Sequence, residues 1–371
     1  MNELIRSNPF RLGFGLMRLP KNPDGSIDIP QVCDMTDRFI AEGGTYFDTA
    51  YVYDGGASEA AFKAAVADRY PREAFTLATK LFAAAAHDKE SARQEFFTSL
   101  ERTGAGYIDY YLLHAIQRTN VDKYEEYDLW NFVKEQKAKG LIRHWGFSFH
   151  ADPELLEELL SKHPDAEFVQ LQINYADWEN SGVASRENWE ICKAHGKPVV
   201  IMEPVKGRVL ANPIPEVKAV FDRAGSGRSY ASWALRYAAS LDNILAVLSG
   251  MSDRSQMEDN LESVKEIPLT AEEQQVIAQA QEALNNDKSI PCTSCHYCTD
   301  GCPMNIPIPE IFNVYNRRKG SPEFRTVREY NIVTQNRGRA SDCIACGQCE
   351  SVCPQHLPII ELLEKARELE A

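Results

Sequence analysis

Eight of the ten cysteines in this 371-residue chain fall in two runs of one spacing. The first is Cys292-x2-Cys295-x2-Cys298-x3-Cys302-Pro303. The second is Cys343-x2-Cys346-x2-Cys349-x3-Cys353-Pro354. Thiolates set this closely suit a soft metal centre. The short spacers let three of them wrap an iron–sulfur cubane, while the fourth, followed by proline, reaches across to a second cluster. By that rule Cys292, Cys295, Cys298 and Cys353 hold one [4Fe–4S] cluster. Cys343, Cys346, Cys349 and Cys302 hold the other. Each cluster moves one electron at a time.

Other chemistries of these cysteines fit less well. Zinc takes four ligands, commonly from two separated pairs, and does not need a tight run of four ending in proline. Cys292-Thr293-Ser294-Cys295-His296 matches the haem attachment motif, but the wider spacing already accounts for it. A disulfide framework belongs to secreted proteins, and the N-terminal MNELIRSNPF shows no apolar signal segment. The expected location is therefore the cytoplasm. Cys33 and Cys192 stand alone and read as buried core thiols. Between the two runs, Ile311, Val314 and Tyr315 recur at helical spacing. Residues 286–371 thus read as a small, mainly helical ferredoxin-like domain. Its stretch Arg317-Arg318-Lys319 is either a solvated face or a docking patch for a redox partner protein.

A second constellation lies in residues 1–285. Asp48, Lys80 and His114 each end a short apolar run, and Tyr53 follows Asp48 by five residues. A free phenol has a pKa near 10 and is a poor acid at neutral pH. A neighbouring Lys⁺ favours the phenolate and lowers that value. Asp48 would hold Lys80 charged, and His114 would orient a carbonyl. Such a group can protonate an alkoxide that develops during hydride attack.

These residues converge only if the runs are strands of one sheet with their ends on one rim. Eight runs are short, apolar and rich in β-branched or aromatic residues: 12–16, 46–48, 75–80, 108–114, 144–148, 168–174, 198–203 and 244–248. Amphipathic stretches separate them. Pro30 to Ala41 is stopped by Gly43-Gly44, Asp152-Pro153 opens a helix, and Thr270 to Glu273 forms a capping box. Eight strand–helix units over this length predict a (β/α)8 TIM barrel, whose active sites lie at the C-terminal ends of the strands. An open dinucleotide-binding sheet would carry G-x-G-x-x-G after its first strand. Here Gly13-Phe14-Gly15 lacks the third glycine.

The order of these pieces resembles the aldo-keto reductase superfamily. The matching segments are Phe47-Asp48-Thr49-Ala50 with Tyr53, Thr79-Lys80, Leu112-Leu113-His114 and Gly146-Phe147-Ser148. Leu171 to Tyr175 and Ser249 to Asn260 match as well. The resemblance implies a nicotinamide cofactor, NADPH or NADH, lying across the rim. It implies Tyr53 as proton donor, with Asp48, Lys80 and His114 completing a tetrad. It further implies that Ser148 and Gln172 hold the carboxamide, with Gly15, Met17, Met202, Gly250, Ser252 and Asn260 along the cofactor. Three positions depart from the family pattern. Phe149 stands where an asparagine often follows the serine. Met202 stands where an aromatic residue often stacks on the nicotinamide. Gln256 stands where a basic residue often grips a 2′-phosphate, with Arg254 nearby.

Composition agrees with a soluble globular protein and argues against some partners. Apolar residues make up 44%, and the net charge is −14. That charge speaks against nucleic acid or an anionic membrane surface. No stretch approaches the roughly 20 apolar residues of a membrane span. The expected substrate is a small carbonyl compound or alcohol. The rival expectation is an iron–sulfur electron-transfer protein whose barrel is only a binding scaffold.

Overall fold

The computed structural model describes residues 2–285, 289–318 and 323–370. The chain forms two compact units. Met1–Val205 and Leu210–Gln281 make one, and Lys206–Val209 with Glu282–Ala371 make the other.

The first unit is a closed, all-parallel barrel of eight strands in chain order. They are β1 (Leu12–Gly15), β2 (Tyr46–Asp48), β3 (Thr76–Leu81), β4 (Ile108–Ile116), β5 (Ile142–Phe149), β6 (Phe168–Gln172), β7 (Val199–Met202) and β8 (Ile244–Gly250). β1 pairs with both β2 and β8, which closes the ring. Each strand matches one of the eight apolar runs to within about two residues at either end, the fraying expected of any strand assignment. The three helix signals also hold. Asp28 caps Ile29–Ala41, and Asp152 caps Pro153–Lys162. At the third, Thr270 N–H donates to Glu273 Oε2 and Glu273 N–H to Thr270 Oγ1, opening Ala271–Asn285.

Side chains alternate in and out along a strand, and this sets the contents of the barrel. Tyr46, Ala78, Tyr110, Leu112, Phe168, Val200, Leu245, Ala246 and Leu248 pack together as an interior plug. On β2 to β7 the next inward position toward the C-terminal end is polar or soft: Asp48, Lys80, His114, Ser148, Gln170 and Met202. Gly146, two residues before Ser148, leaves its inward slot to a neighbour. A Cβ there would stand 2.2 Å from the Phe168 carbonyl. The larger core lies outside the ring, between strands and helices.

The second unit contains helices and no strand among the described residues. Ile308–Arg317 and Ile359–Ala366 are its longer apolar-faced helices, packed around Ile306, Ile311, Phe312, Tyr330 and Leu363. Arg317 pairs with Glu329, and Arg318 pairs with Glu368 and stacks on the Tyr315 ring. Lys319 lies outside the described residues. Among the described residues no helix is long and apolar enough to cross a membrane. One expectation is corrected. Cys192 is buried, but Cys33 is only half-buried, because it sits at the edge of the face that helix Ile29–Ala41 turns to the core.

Glu95 is a buried carboxyl on helix Lys89–Thr103, and its Oε2 accepts the Phe82 N–H at 2.8 Å. Burial pushes this carboxyl up to about 8, against the pull of that N–H group. Unfolded, it ionises near 4.5. The folded chain therefore keeps a proton that the unfolded chain releases, and stability is lost as pH rises between these values. Glu95→Gln stays neutral throughout. Its stability relative to wild type, read by urea unfolding, is expected to rise between about pH 5 and pH 8 by on the order of 4 kcal/mol. A difference independent of pH contradicts this account.

Candidate active site and cluster sites

Lys80 is fully buried at the C-terminal end of β3, and Asp48 is nearly so at the end of β2. Their ion pair measures 2.6 Å, and Lys80 Nζ also donates to the Thr49 carbonyl at 2.6 Å. Burial works against both charges. It lowers the ammonium from the usual lysine value and raises the carboxyl, while the pair opposes each shift. Asp48 Oδ2 is buried and has no hydrogen-bond partner among the described residues.

Tyr53 arrives on the loop after β2. That loop runs along β3, where Thr49 N–H donates to the Ala78 carbonyl and Tyr51 N–H to the Lys80 carbonyl. It then turns through Asp54, Gly55 and Gly56, all at positive φ. Lys80 Nζ lies 5.1 Å from the centre of the Tyr53 ring. His114 meets Tyr53 edge-on at 5.8 Å and Phe82 at 5.5 Å. Burial first, then the nearby Lys80 ammonium, pushes His114 well below the ordinary histidine value. Its imidazole is therefore neutral at physiological pH. Its Nδ1 has no partner among the described residues. The geometry thus brings Asp48, Tyr53, Lys80 and His114 together.

The neighbouring strand ends are polar and ordered. Ser148 Oγ accepts the Ala115 N–H at 2.7 Å, where Ala115 at positive φ marks an irregularity between β4 and β5. Gln172 Nε2 donates to Asp177 Oδ2 at 2.8 Å, and Asn174 donates to the same oxygen. Met202 Sδ faces Gln170. Gly15 is buried, and a Cβ there would approach the Ser249 carbonyl at 3.3 Å. Met17 is half-buried and Gly250 exposed. Asn260 is buried and donates to Ser249 Oγ. Beyond β8, Asp253 caps helix Arg254–Ser263, and Gln256 bonds both Ser252 N–H and Asp253. Arg254 forks onto Asp34 and also pairs with Glu258.

Sequence reasoning passed over Asp177, which orders Gln172, and Glu59 with Arg102, which lie beneath the Tyr53 loop. Glu59 carried a signal: it is the one charged residue in the segment Ala57–Phe62, which is otherwise alanine, one serine and one phenylalanine.

In the second unit the eight cysteines line two cavities. Cys302, Cys343, Cys346 and Cys349 share one with Met304, Ile344 and Ile308. Cys292, Cys295, Cys298 and Cys353 share the other with Phe312 and Leu357. The second half repeats the first at an offset of 51 residues, Cys292 to Cys343. The backbone repeats with it. Ser294, His296 and Asn305 are at positive φ, and so are Ala345, Gly347 and His356. Left-handed non-glycine residues cost about 1–2 kcal/mol each. They turn successive N–H groups inward, as anion-binding loops do. Burial raises the Cys353 thiol from its usual value, and the N–H groups of Leu357, Gln355 and His356 oppose that rise only in part. Four soft donors with N–H groups aimed at sulfur fit a thiolate-ligated iron–sulfur cluster.

Comparison with known proteins agrees with both halves. The aldo/keto reductase family model matches residues 11–282, and a 4Fe-4S dicluster domain model matches residues 291–357. L-galactose dehydrogenase of Arabidopsis thaliana is 24% identical over 305 residues, covering 75% of this chain and 92% of that protein. The aldo-keto reductase AKR11C1 from Bacillus halodurans, in its holo form, superposes with a TM-score of 0.60 at 28% identity, covering 74% of this chain and 92% of that one. An aldo-keto reductase from Klebsiella pneumoniae in complex with NADPH superposes at 0.59 with 21% identity, covering 75% and 92%. The barrel, the mouth residues and the thiol-lined cavities thus have a common explanation: this chain is an oxidoreductase that belongs to the aldo/keto reductase family and carries a 4Fe-4S dicluster domain after its barrel.

Proposed function

We propose that the barrel catalyses nicotinamide-dependent reduction of a small carbonyl compound, or the reverse oxidation of an alcohol, with Tyr53 as the acid. The observation that carries this reading is the buried Lys80–Asp48 pair beneath the Tyr53 ring. A nicotinamide, when bound, supplies or accepts the hydride. In the reductive direction Tyr53 Oη gives its proton to the carbonyl oxygen as that oxygen gains negative charge. The Lys80 ammonium stabilises the phenolate left behind. Asp48 keeps Lys80 protonated despite its burial. His114, held neutral, donates a hydrogen bond to the substrate oxygen and does not compete for the proton.

Ser148 and Gln172 are the groups suited to the carboxamide. Gly15, Met17, Met202, Gly250, Ser252 and Asn260 would line the rest of the cofactor. Both cations and amides near a 2′-phosphate are already engaged, Arg254 by Asp34 and Glu258, and Gln256 by Asp253. Exposed ion pairs such as those of Arg254 are worth only about 0–1 kcal/mol. Releasing Arg254 is therefore cheap, which supports a reading in which either NADPH or NADH serves.

The tail is proposed to hold two [4Fe–4S] clusters, ligated as the two cavities group the cysteines. A reducing compartment such as the cytoplasm suits such thiolates. Cys346 is exposed, and Ile344 beside it is 61% exposed. The cluster at Cys343, Cys346, Cys349 and Cys302 therefore has the more open edge, where a redox partner protein would exchange single electrons. One observation favours the rival reading of the barrel as a scaffold. Gln172 Nε2 is already bonded to Asp177, so the amide is not poised for a ligand without rearrangement.

Two experiments test these assignments. Tyr53→Phe keeps the ring and removes the acid. Turnover of an aldehyde panel is expected to fall by at least about a hundredfold, with nicotinamide binding, read by fluorescence, unchanged. Undiminished turnover contradicts the proton-donor role. Anaerobically purified chain is expected to contain about eight iron and eight sulfide. The double variant Cys302→Ser with Cys346→Ser is expected to keep about half of that iron. Cys302→Ser with Cys295→Ser is expected to lose nearly all of it. The opposite order contradicts the crossed ligation.

A further inference from the structure

Beneath the loop that carries Tyr53 lies a buried charge that no step above uses. Glu59, on the short helix Ala57–Phe62, has no solvent exposure. A buried carboxylate is costly unless its oxygens are paired. Here both are engaged. Oε1 accepts the Thr79 hydroxyl at 2.7 Å, and Oε2 meets the Arg102 guanidinium at 3.4 Å. Thr79 immediately precedes Lys80 on β3. Arg102 comes from helix Lys89–Thr103, donates to the Tyr51 carbonyl at 3.1 Å, and lies 4.7 Å over the Tyr51 ring. The far end of the loop rests on the same group. Gly56 is at φ 93°, and a Cβ there would stand 2.5 Å from the guanidinium. One guanidinium thus supports the loop at Tyr51 and at Gly56, on either side of Tyr53. One carboxylate ties that guanidinium to the strand that bears Lys80. The Glu59 charge also favours the Lys80 ammonium, alongside Asp48.

We propose that Glu59 and Arg102 are positioning residues whose ion pair clamps the Tyr53 loop to β3, keeping the phenol over Lys80. The inference rests on the reading of Tyr53 as proton donor, yet the clamp itself can be tested without turnover. Glu59→Gln keeps an acceptor for Thr79 and removes only the charge. Arg102→Met removes the guanidinium from a partly exposed position, and Arg102→Lys restores a cation there.

The test uses the full chain with its clusters in place. Hydrogen exchange is followed in peptides covering residues 51–57 and, as a control, in those covering β6 and β7. Turnover of an aldehyde with NADPH gives kcat and KM. In Glu59→Gln and Arg102→Met, exchange at 51–57 is expected to quicken about tenfold or more while the control strands keep the wild-type rate. The kcat is expected to fall about tenfold with KM nearly unchanged, and Arg102→Lys to recover most of it. Unchanged exchange at 51–57, or equal acceleration in the control strands, overturns the clamp. Wild-type chain that reduces no carbonyl overturns the Tyr53 reading, while the exchange result still decides the clamp.

Discussion

Lys80 and Asp48 form a 2.6 Å ion pair in the upper layer of the barrel interior, where the ammonium has no contact with solvent. Removing two ions from water costs several kcal/mol per ion. At an effective dielectric of about 20, their attraction returns roughly 4–6 kcal/mol. The pair alone therefore leaves little net gain. It persists because other groups share the charge. The Thr49 carbonyl accepts a second hydrogen bond from Nζ, and Glu59 lies behind Thr79, the preceding residue of the strand. Asp48 and Thr49 come from the strand and loop that lead to Tyr53, and Glu59 from the helix that follows that loop. An ammonium placed this way makes sense as a device for stabilising a phenolate, and poor sense as a stabiliser of the fold.

Much of this arrangement was legible in the sequence because the strand period is two. An apolar run ending in one polar residue gives both the strand and the inward direction of its last side chain. Asp48, Lys80, His114 and Ser148 all fall on that pattern. The cysteine runs were legible for a different reason: their short spacers and terminal prolines already specify which thiols can lie together, and the two cavities group them that way. Glu59 and Arg102 were harder to find. One lies on a six-residue helix and the other near the end of a helix on the following unit. Their partnership depends on tertiary packing that no local period records. Cys33 failed for a related reason, since a residue at the margin of an amphipathic face has burial set by its neighbours.

The second unit illustrates a fold organised around its ligands. Its two halves repeat at an offset of 51 residues, and the repeat extends to the left-handed positions 294, 296 and 305 against 345, 347 and 356. Five of those six residues are not glycine, so the strain they hold needs an outside source of stabilisation. Cys298, Cys349 and Cys353 sit inside the unit's hydrophobic cluster, with Cys292, Cys302 and Cys343 packed against it, where unligated thiolates would be unfavourable. Iron–sulfur ligation answers both demands and joins a one-electron centre to a family whose barrels handle hydride, a two-electron species.

The central claim is that the buried ammonium lowers the pKa of one phenol, Tyr53. Titration of the chain with 13C-labelled tyrosine, with Tyr53 assigned from the spectrum of Tyr53→Phe, measures it directly. The account predicts that Tyr53 ionises below the ordinary value near 10, and that Lys80→Met moves it back to 10 or above. A Tyr53 that titrates at the ordinary value in wild type, unmoved by loss of Lys80, would contradict it.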